Sequence, residues 1–384
     1  MLTYSIPFSP AHSPEFFAQF PAAPAVFLLR GAEDAAEPYV SKTTNLRRRL
    51  QRLLAPAEPR SKRLNLRDRA VAIEYSPTGS DFESALLLYR VLREQFPESY
   101  QKRLRLRPAP LVRFNLENRY PRAYVTTRAG RLTGPSLYYG PFRSRAVAEQ
   151  FLNDSLDLFK MRRCTFELNP DPNFPGCVYS EMKMCLAPCF KGCTDEAYAA
   201  EVGRVQAYFD SAGHSLLPEL EAGRESLSAA LDFEGAAAQH AKIAKVKGIL
   251  AACDEIFARL DRLDAVIVQP ATEAGSAVLF RFHKGEIAGP QVFSPDSENE
   301  TVSMEGRIRA ALEQMKPGSA PSARRFTEEL AMLKRWYYRS HKTGEIFFAD
   351  EKGELPLRRI VRAVGRMARG GKDAQEPEAE QKKT

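Results

Sequence analysis

The 384-residue chain predicts an α+β protein of several domains. Three observations carry that expectation. Two short apolar runs, at residues 25–30 and 38–42, flank a polar turn and precede a basic stretch with helical spacing. A cluster of cysteines interrupts the middle of the chain. Helical patterning over residues 194–260 then gives way to alternating apolar runs broken by Gly285 and Gly289. The length suits two or three domains with a sizeable core.

Taken in order, residues 1–19 form a proline-containing lead. Residues 25–30 and 38–42 read as a hairpin. Thr44 or Asn45 can cap a helix over residues 46–54, and a third strand follows at 70–75. Ser80-Asp-Phe-Glu83 is a capping box that opens a helix reaching about Glu94. These pieces form a small α/β unit over residues 20–105. Residues 106–145 are a basic, strand-like connector ending in Tyr138-Tyr-Gly-Pro-Phe-Arg143. A helix from residue 146 leads into a cysteine-rich module, 146–193. Residues 194–260 predict a helical hairpin with its break near 211–214 or at Gly223. Residues 261–350 predict a small β-rich domain. Residues 351–384 are expected to be a disordered tail, because from Gly370 onward no apolar residue exceeds alanine.

Charge is unevenly spread. Residues 1–143 hold 23 Lys/Arg against 12 Asp/Glu, and the rest of the chain 33 against 36. A basic first third suits a polyanion, most simply DNA. Lys42, Arg47, Arg48, Arg52, Lys62, Arg63, Arg103 and Arg105 are the candidate phosphate contacts, with Arg67 and Arg69 beside them. Such contacts bind without reading sequence. Tyr138, Tyr139 and Phe142 either stack on an exposed base or pack between domains. The five histidines have no ligand spacing. No run of ~18 apolar residues exists, which argues against a membrane span. Nothing opens the chain like a secretion signal, so a reducing cytoplasm is expected.

In that compartment, clustered thiols more often bind metal than form disulfides. Cys164, Cys177, Cys185 and Cys189 place three sulfurs on a short loop with a fourth upstream. Four converging thiolates suit a cubic 4Fe–4S cluster, with zinc as the alternative. Arg162, Arg163, Lys183 and Lys191 lie nearby and favour thiolates. Cys193 is close enough to compete as a ligand, and Cys253 reads as a core thiol.

In this order the pieces resemble the N-terminal half of the UvrC family, the incising component of excinuclease ABC. Pro24-Ala-Val-Phe-Leu-Leu and Tyr39-Val-Ser-Lys-Thr resemble the halves of its GIY-YIG nuclease motif. Asn45-Leu-Arg-Arg-Arg-Leu50 resembles its basic helix, and Tyr139-Gly-Pro-Phe142 an element before its cysteines. Cys164…Cys177-x7-Cys185-Leu-Ala-Pro-Cys189 resembles its four-cysteine region, associated with an iron–sulfur cluster. Leu231-Asp-Phe-Glu-Gly-Ala-Ala resembles the motif that docks UvrB, the helicase-like component of the same excinuclease. The resemblance implies DNA excision repair with incision 3′ to a lesion. It also implies a ribonuclease-H-like second nuclease, expected after residue 350, where this sequence offers only the polar tail.

Carried over by position, the resemblance puts one motif tyrosine at Tyr39 and the arginine at Arg49. The other tyrosine falls on Phe27, which lacks the hydroxyl. The metal-holding glutamate falls on Tyr89, and a supporting asparagine near Gln101. Side chains that share a face with Tyr89 on its helix are Ala85, Leu86, Leu92 and Arg93, none acidic. A phenol is a poor Mg²⁺ ligand. Ser41 stands where the family has glycine. The nuclease site is therefore expected to be degenerate, with Mg²⁺ or Mn²⁺ relevant only if it is active. UvrB remains an expected partner, although Gly235, Ala238, His240 and Ala241 replace charges of its docking motif. The alternative is a non-enzymatic scaffold, or a redox-responsive interaction protein built on the cysteines and the hairpin.

Overall fold

The computed structural model describes residues 2–32, 36–56, 64–295, 302–316 and 322–370. Its first unit contains β1 (Tyr4–Pro7), β2 (Ala25–Gly31), β3 (Tyr39–Thr43), α1 (Leu46–Leu54), β4 (Ala70–Pro77), α2 (Asp81–Gln95) and α3 (Tyr100–Leu104). The strands form one antiparallel sheet in the order β1-β4-β2-β3. Leu46, Leu50, Leu53 and Leu54 recur at helical spacing and bury α1 against Phe27, Leu29 and Ile73. Asn45 caps α1 by accepting the Arg48 amide at 2.9 Å. Ser80 caps α2 as its sequence predicts, accepting the Glu83 amide at 3.0 Å. The lead is more than a lead: Tyr4–Pro7 pairs with β4, and Phe8, Phe17 and Phe20 enter the core.

The second unit runs through β5 (Leu111–Asn115), β6 (Arg122–Thr126), β7 (Leu137–Gly140), α4 (Arg145–Leu156), the cysteine loop with α5 (Val178–Glu181), α6 (Asp195–Asp210), α7 (Leu217–Ala229), α8 (Phe233–Ala252) and β8 (Ala258–Arg259). Its sheet order is β6-β5-β7-β8. Three helices replace the expected two. The break expected near 211–214 separates α6 from α7, Gly223 lies inside α7, and a second turn falls at Leu231, whose φ of 59° breaks the helix. Gly140 (φ 141°) ends β7 where a Cβ would crowd Leu111 and the Pro110 carbonyl.

The third unit contains β9 (Asp264–Pro270), β10 (Ala277–His283), β11 (Glu286–Phe293), α9 (Met304–Gln314), α10 (Ala323–Tyr337), β12 (Glu345–Phe348) and α11 (Leu357–Ala368). The antiparallel order is β11-β10-β9-β12. Strand alternation splits the side chains between two layers. Val266, Val268 and Leu279 meet Ile308, Ile360 and Val364 of α9 and α11. Ile267, Val278, Phe280 and Phe282 share a core with α10 and with α2 of the first unit. The expected β-rich domain is thus a sheet covered by helices on both faces. The expected tail is corrected in the same way. Ile360, Ala363 and Val364 are fully buried, so residues 357–368 are a packed helix, and each Ile or Val so buried contributes roughly 1.5–3 kcal/mol. Residues 371–384 lie outside the described residues. Among those described, no helix is long and apolar enough to cross a membrane.

Candidate functional site

Tyr39 opens β3 and Arg49 sits one turn into α1, so strand and helix deliver both to one corner. The Arg49 guanidinium donates to the Tyr39 hydroxyl at 2.9 Å. Phe27 lies beside them in β2, fully buried, its ring centroid 6.0 Å from that of Tyr39. Tyr39 also lines a cleft of about 560 Å³ with Arg30, Glu37, Asp68, Arg69 and Arg103. A phenol and a guanidinium in contact can hold an anion. The pair itself supplies no carboxylate for a cation; those of the cleft are Glu37, paired with Arg103, and Asp68.

Tyr89 has a different set of neighbours. It is fully buried in the core that joins α2 to the third unit. Its hydroxyl donates to Glu328 of α10 at 2.9 Å and accepts from Arg93 at 3.1 Å. Tyr100 donates to the same carboxylate at 2.9 Å, and the Gln101 side-chain amide at 2.6 Å. Two positions carried over from the nuclease motif, Tyr89 and Gln101, therefore meet on one carboxylate that arrives from a helix more than two hundred residues away. Burial is the main cause that pushes the Tyr89 phenol well above its ordinary range, and the Glu328 charge adds to it. Tyr89 remains a neutral donor.

The joint around it is dense. Phe82 packs edge-on to Phe280 at 5.2 Å and against Trp336 at 5.5 Å. Arg90 donates to the carbonyls of Ile287 (2.7 Å) and Gly289. Glu329, fully buried next to Glu328, takes the Ile287 amide and the Arg325 guanidinium. Gly79 is required just before α2, because a Cβ there would stand 2.3 Å from the Pro270 carbonyl oxygen. Helical spacing along α2 alone could not point to Glu328. The available signal was two acids between Phe326 and Leu330, on the apolar side of α10.

The proposed phosphate contacts divide. Arg48, Arg52 and Arg105 are exposed. Arg47 donates to the Phe20 carbonyl at 2.8 Å, Lys42 pairs with Asp81, and Arg103 pairs with Glu37 at 2.8 Å while covering Phe96. Arg67 is structural, bonding the carbonyls of Leu54, Pro10 and His12. Lys62 and Arg63 lie outside the described residues. Of the two roles open to Tyr138, Tyr139 and Phe142, packing holds and base stacking does not: all three are buried. Tyr139 donates to Asp210 at 2.8 Å, and Tyr138 accepts the Gly130 amide at 2.8 Å.

All six thiols of the chain are free, five of them in or beside the cysteine loop and Cys253 at the end of α8. Left-handed residues at Gly176, Lys183, Ala187 and Lys191 fold that loop back on itself. Cys177 caps α5, Cys189 is buried, and the Ala187 amide donates to the Cys185 sulfur at 3.3 Å. Arg162, 2% exposed, anchors the loop. Its guanidinium donates to the carbonyls of Tyr120 (3.0 Å) and Phe166 (3.2 Å) and to the Cys164 sulfur at 3.5 Å. Burial, with the neighbouring Cys164, Cys189 and Cys177 adding to it, pushes the Cys185 thiol up to about 11. The four thiols thus feel one another. Even so, among the described residues no group of three or more His, Cys, Asp or Glu side chains is arranged to hold a metal ion. As it stands, the loop is not a finished ligand set. A consequence is measurable. At pH 8 in metal-free protein, Cys185 holds about a hundredfold less thiolate than a thiol at the ordinary value. Burial pushes the Cys253 thiol up to about 11 as well, so these two should be the slow sites in an iodoacetamide time course followed by peptide mass, and should speed up as pH rises toward 11.

Along the hairpin Ile243 is buried, whereas Leu231 and Phe233 are 73% and 67% exposed at the α7–α8 turn.

Residues 110–208, from the sheet of the second unit through the cysteine loop into α6, match the family "UvrC/Cho excinuclease, middle domain". The chain is similar to the UvrABC system protein C of Alcanivorax borkumensis, 28% identical over 300 residues, covering 76% of this chain and 47% of that protein. The protein of the same name from Actinobacillus succinogenes is 29% identical over 289 residues, covering 74% and 46%. That of Acidobacterium capsulatum is 31% identical over 219 residues, covering 56% and 33%. The chain spans about half the length, or less, of these curated relatives. No solved structure matches it. A middle domain of this type, inside similarity that reaches three-quarters of the sequence, makes the chain similar to the UvrC family over most of its length.

Proposed function

We propose that this chain is a DNA-binding protein of the nucleotide-excision-repair type whose GIY-YIG-like unit no longer cuts DNA. One observation carries this reading: the position for a metal-holding glutamate is Tyr89, and Tyr89 is consumed in a buried hydrogen bond to Glu328. Magnesium needs hard oxygen ligands reachable from the scissile phosphate. The Tyr39–Arg49 pair offers phosphate contact without that ligand. Arg48, Arg52 and Arg105 extend the contact surface. The test is incision of lesion-bearing duplex with Mg²⁺ or Mn²⁺. No cutting above background is expected, with salt-sensitive binding retained. Metal-dependent cutting that disappears in Arg49→Ala would overturn the reading.

The four cysteines are, in this reading, where an iron–sulfur cluster would sit, with zinc second. Support comes from their shared loop and from Arg162, a buried guanidinium whose neighbouring sulfur would balance its charge as a thiolate. Their present arrangement counts against it. Iron and labile sulfide are expected in protein purified without oxygen. Stoichiometric zinc points to the alternative, and metal-free protein removes both.

A second reading, an interaction protein, is favoured by exposed Leu231 and Phe233 at the hairpin tip. They stand in the segment that resembles the UvrB-docking motif. Retention of purified UvrB that is lost in Leu231→Ser/Phe233→Ser would place the partner there.

A further inference from the structure

The helix α11, unforeseen in the sequence, has a purpose beyond packing. Its buried side is settled by Ile360, Ala363 and Val364. Its other side carries Arg358, Arg359, Arg362 and Arg366, with Arg369 directly after it and no acid within the helix. All five arginines lie on the outward side, away from that buried stripe. At 3.6 residues per turn, Arg358, Arg362, Arg366 and Arg369 fall within about 80° of one another, in a row roughly 16 Å long. Arg366 is held by Glu345 at 2.7 Å, and Arg359 covers the Phe347 ring. That leaves Arg358, Arg362 and Arg369 as charges the packing does not require.

Helix stability does not explain them either. Arg358 and Arg359 occupy the first turn, the end where the helix dipole disfavours cations. In the cleft of about 630 Å³ that Arg358 and Arg359 help to line, Arg309 pairs with Glu305, Lys316 with Glu313 and Arg281 with Asp264, and Glu354 is the further acid. Asp350, Glu351 and Glu354 precede the helix, and Asp350 is occupied in its own turn. The field on this face therefore comes from α11.

We infer that the exposed face of α11 is a second phosphate-contacting surface for duplex DNA, separate from the basic surface of the first unit. This rests on the DNA-binding reading above. A straight row of cations on a rigid helix suits the regular charge of a duplex backbone. Arginines arrayed this way contact phosphates and leave base edges unread. An acidic protein surface is the competing occupant.

The experiment is salt-titrated fluorescence anisotropy of the whole chain on a short labelled duplex. Three proteins are compared: the parent, Arg358→Gln/Arg362→Gln/Arg369→Gln, and Arg48→Gln/Arg52→Gln/Arg105→Gln. The α11 variant should keep the parent's circular dichroism and bind more weakly. Its log–log salt slope should be shallower by about 2–3. The variant Arg358→Lys/Arg362→Lys/Arg369→Lys should keep the parental slope, which separates charge from folding. If the first-unit variant loses slope while the α11 variant matches the parent, the α11 inference fails and the DNA-binding reading stands. If the parent itself shows no salt-dependent binding, both fail.

Discussion

Tyr89→Glu, which installs the glutamate that the proposed reading expects at this position, should destabilise the protein and leave incision absent. The new carboxyl would be fully buried within hydrogen-bond reach of Glu328, two acids where a donor and an acceptor now meet. It also removes an aromatic ring from a core shared by two units. Loss of the ring and an uncompensated buried charge together cost about 4 kcal/mol. A fall in Tm of roughly 10 °C should follow. The pH dependence has a definite sign. Burial and the Glu328 charge would raise the folded-state pKa of the introduced carboxyl above its unfolded value. The deficit is then full at neutral pH and shrinks as pH falls toward the carboxylate range. Glu328→Gln alone leaves the phenols and amide an acceptor and should cost about 2 kcal/mol. Combined, the two changes should cost less than their sum, because the like-charge pair is gone. A double-mutant cycle by thermal or urea unfolding reads this directly.

Arg162→Ala should have a comparable effect by another route. The side chain is 2% exposed and ties the Tyr120 and Phe166 carbonyls to the Cys164 sulfur. Alanine leaves these acceptors unpaired and opens a cavity, at roughly 3–5 kcal/mol. The loop, and not only the global Tm, should report it. All four loop cysteines should become quickly alkylated, and any bound metal should fall in proportion. Arg162→Lys keeps the charge but loses the fork that reaches two carbonyls at once, so its effect should lie between. Unchanged alkylation in Arg162→Ala would show that the loop is held by other contacts.

Local signals in the sequence are legible because they are strong and short in range. The hairpin of β2 and β3, the Asn45 and Ser80 caps and the alternation of β9 and β10 each depend on neighbours in the chain; Glu83 turns from the Ser80 amide to that of Gly79. The departures have physical causes. Residues 4–7 are a short edge strand with little apolar content, legible only once β4 is there to pair with it. The arginines of α11 outnumber its buried residues, so composition reads as a tail what the sheet holds as a helix. The break near 211–214 is legible, but a second turn comes at a left-handed leucine, Leu231, where no glycine or proline marks it. Glu328 reaches Tyr89 and Gln101 only through tertiary packing, which no helical spacing on α2 could reveal. In the candidate site, then, the residues were legible and their partners were not.

On the proposed reading, position 89 is thus more than a missing ligand. The helix α2 forms part of a joint between the first and third units, and the acid that completes it belongs to α10. The most direct measurement is a Mn²⁺ titration of the whole chain followed by electron paramagnetic resonance, with Tyr39→Phe and Glu328→Gln alongside. The expected result is no stoichiometric Mn²⁺ site sensitive to either substitution. One equivalent of tightly held Mn²⁺ that is lost in both variants would contradict it, since a metal would then bridge the cleft and the joint.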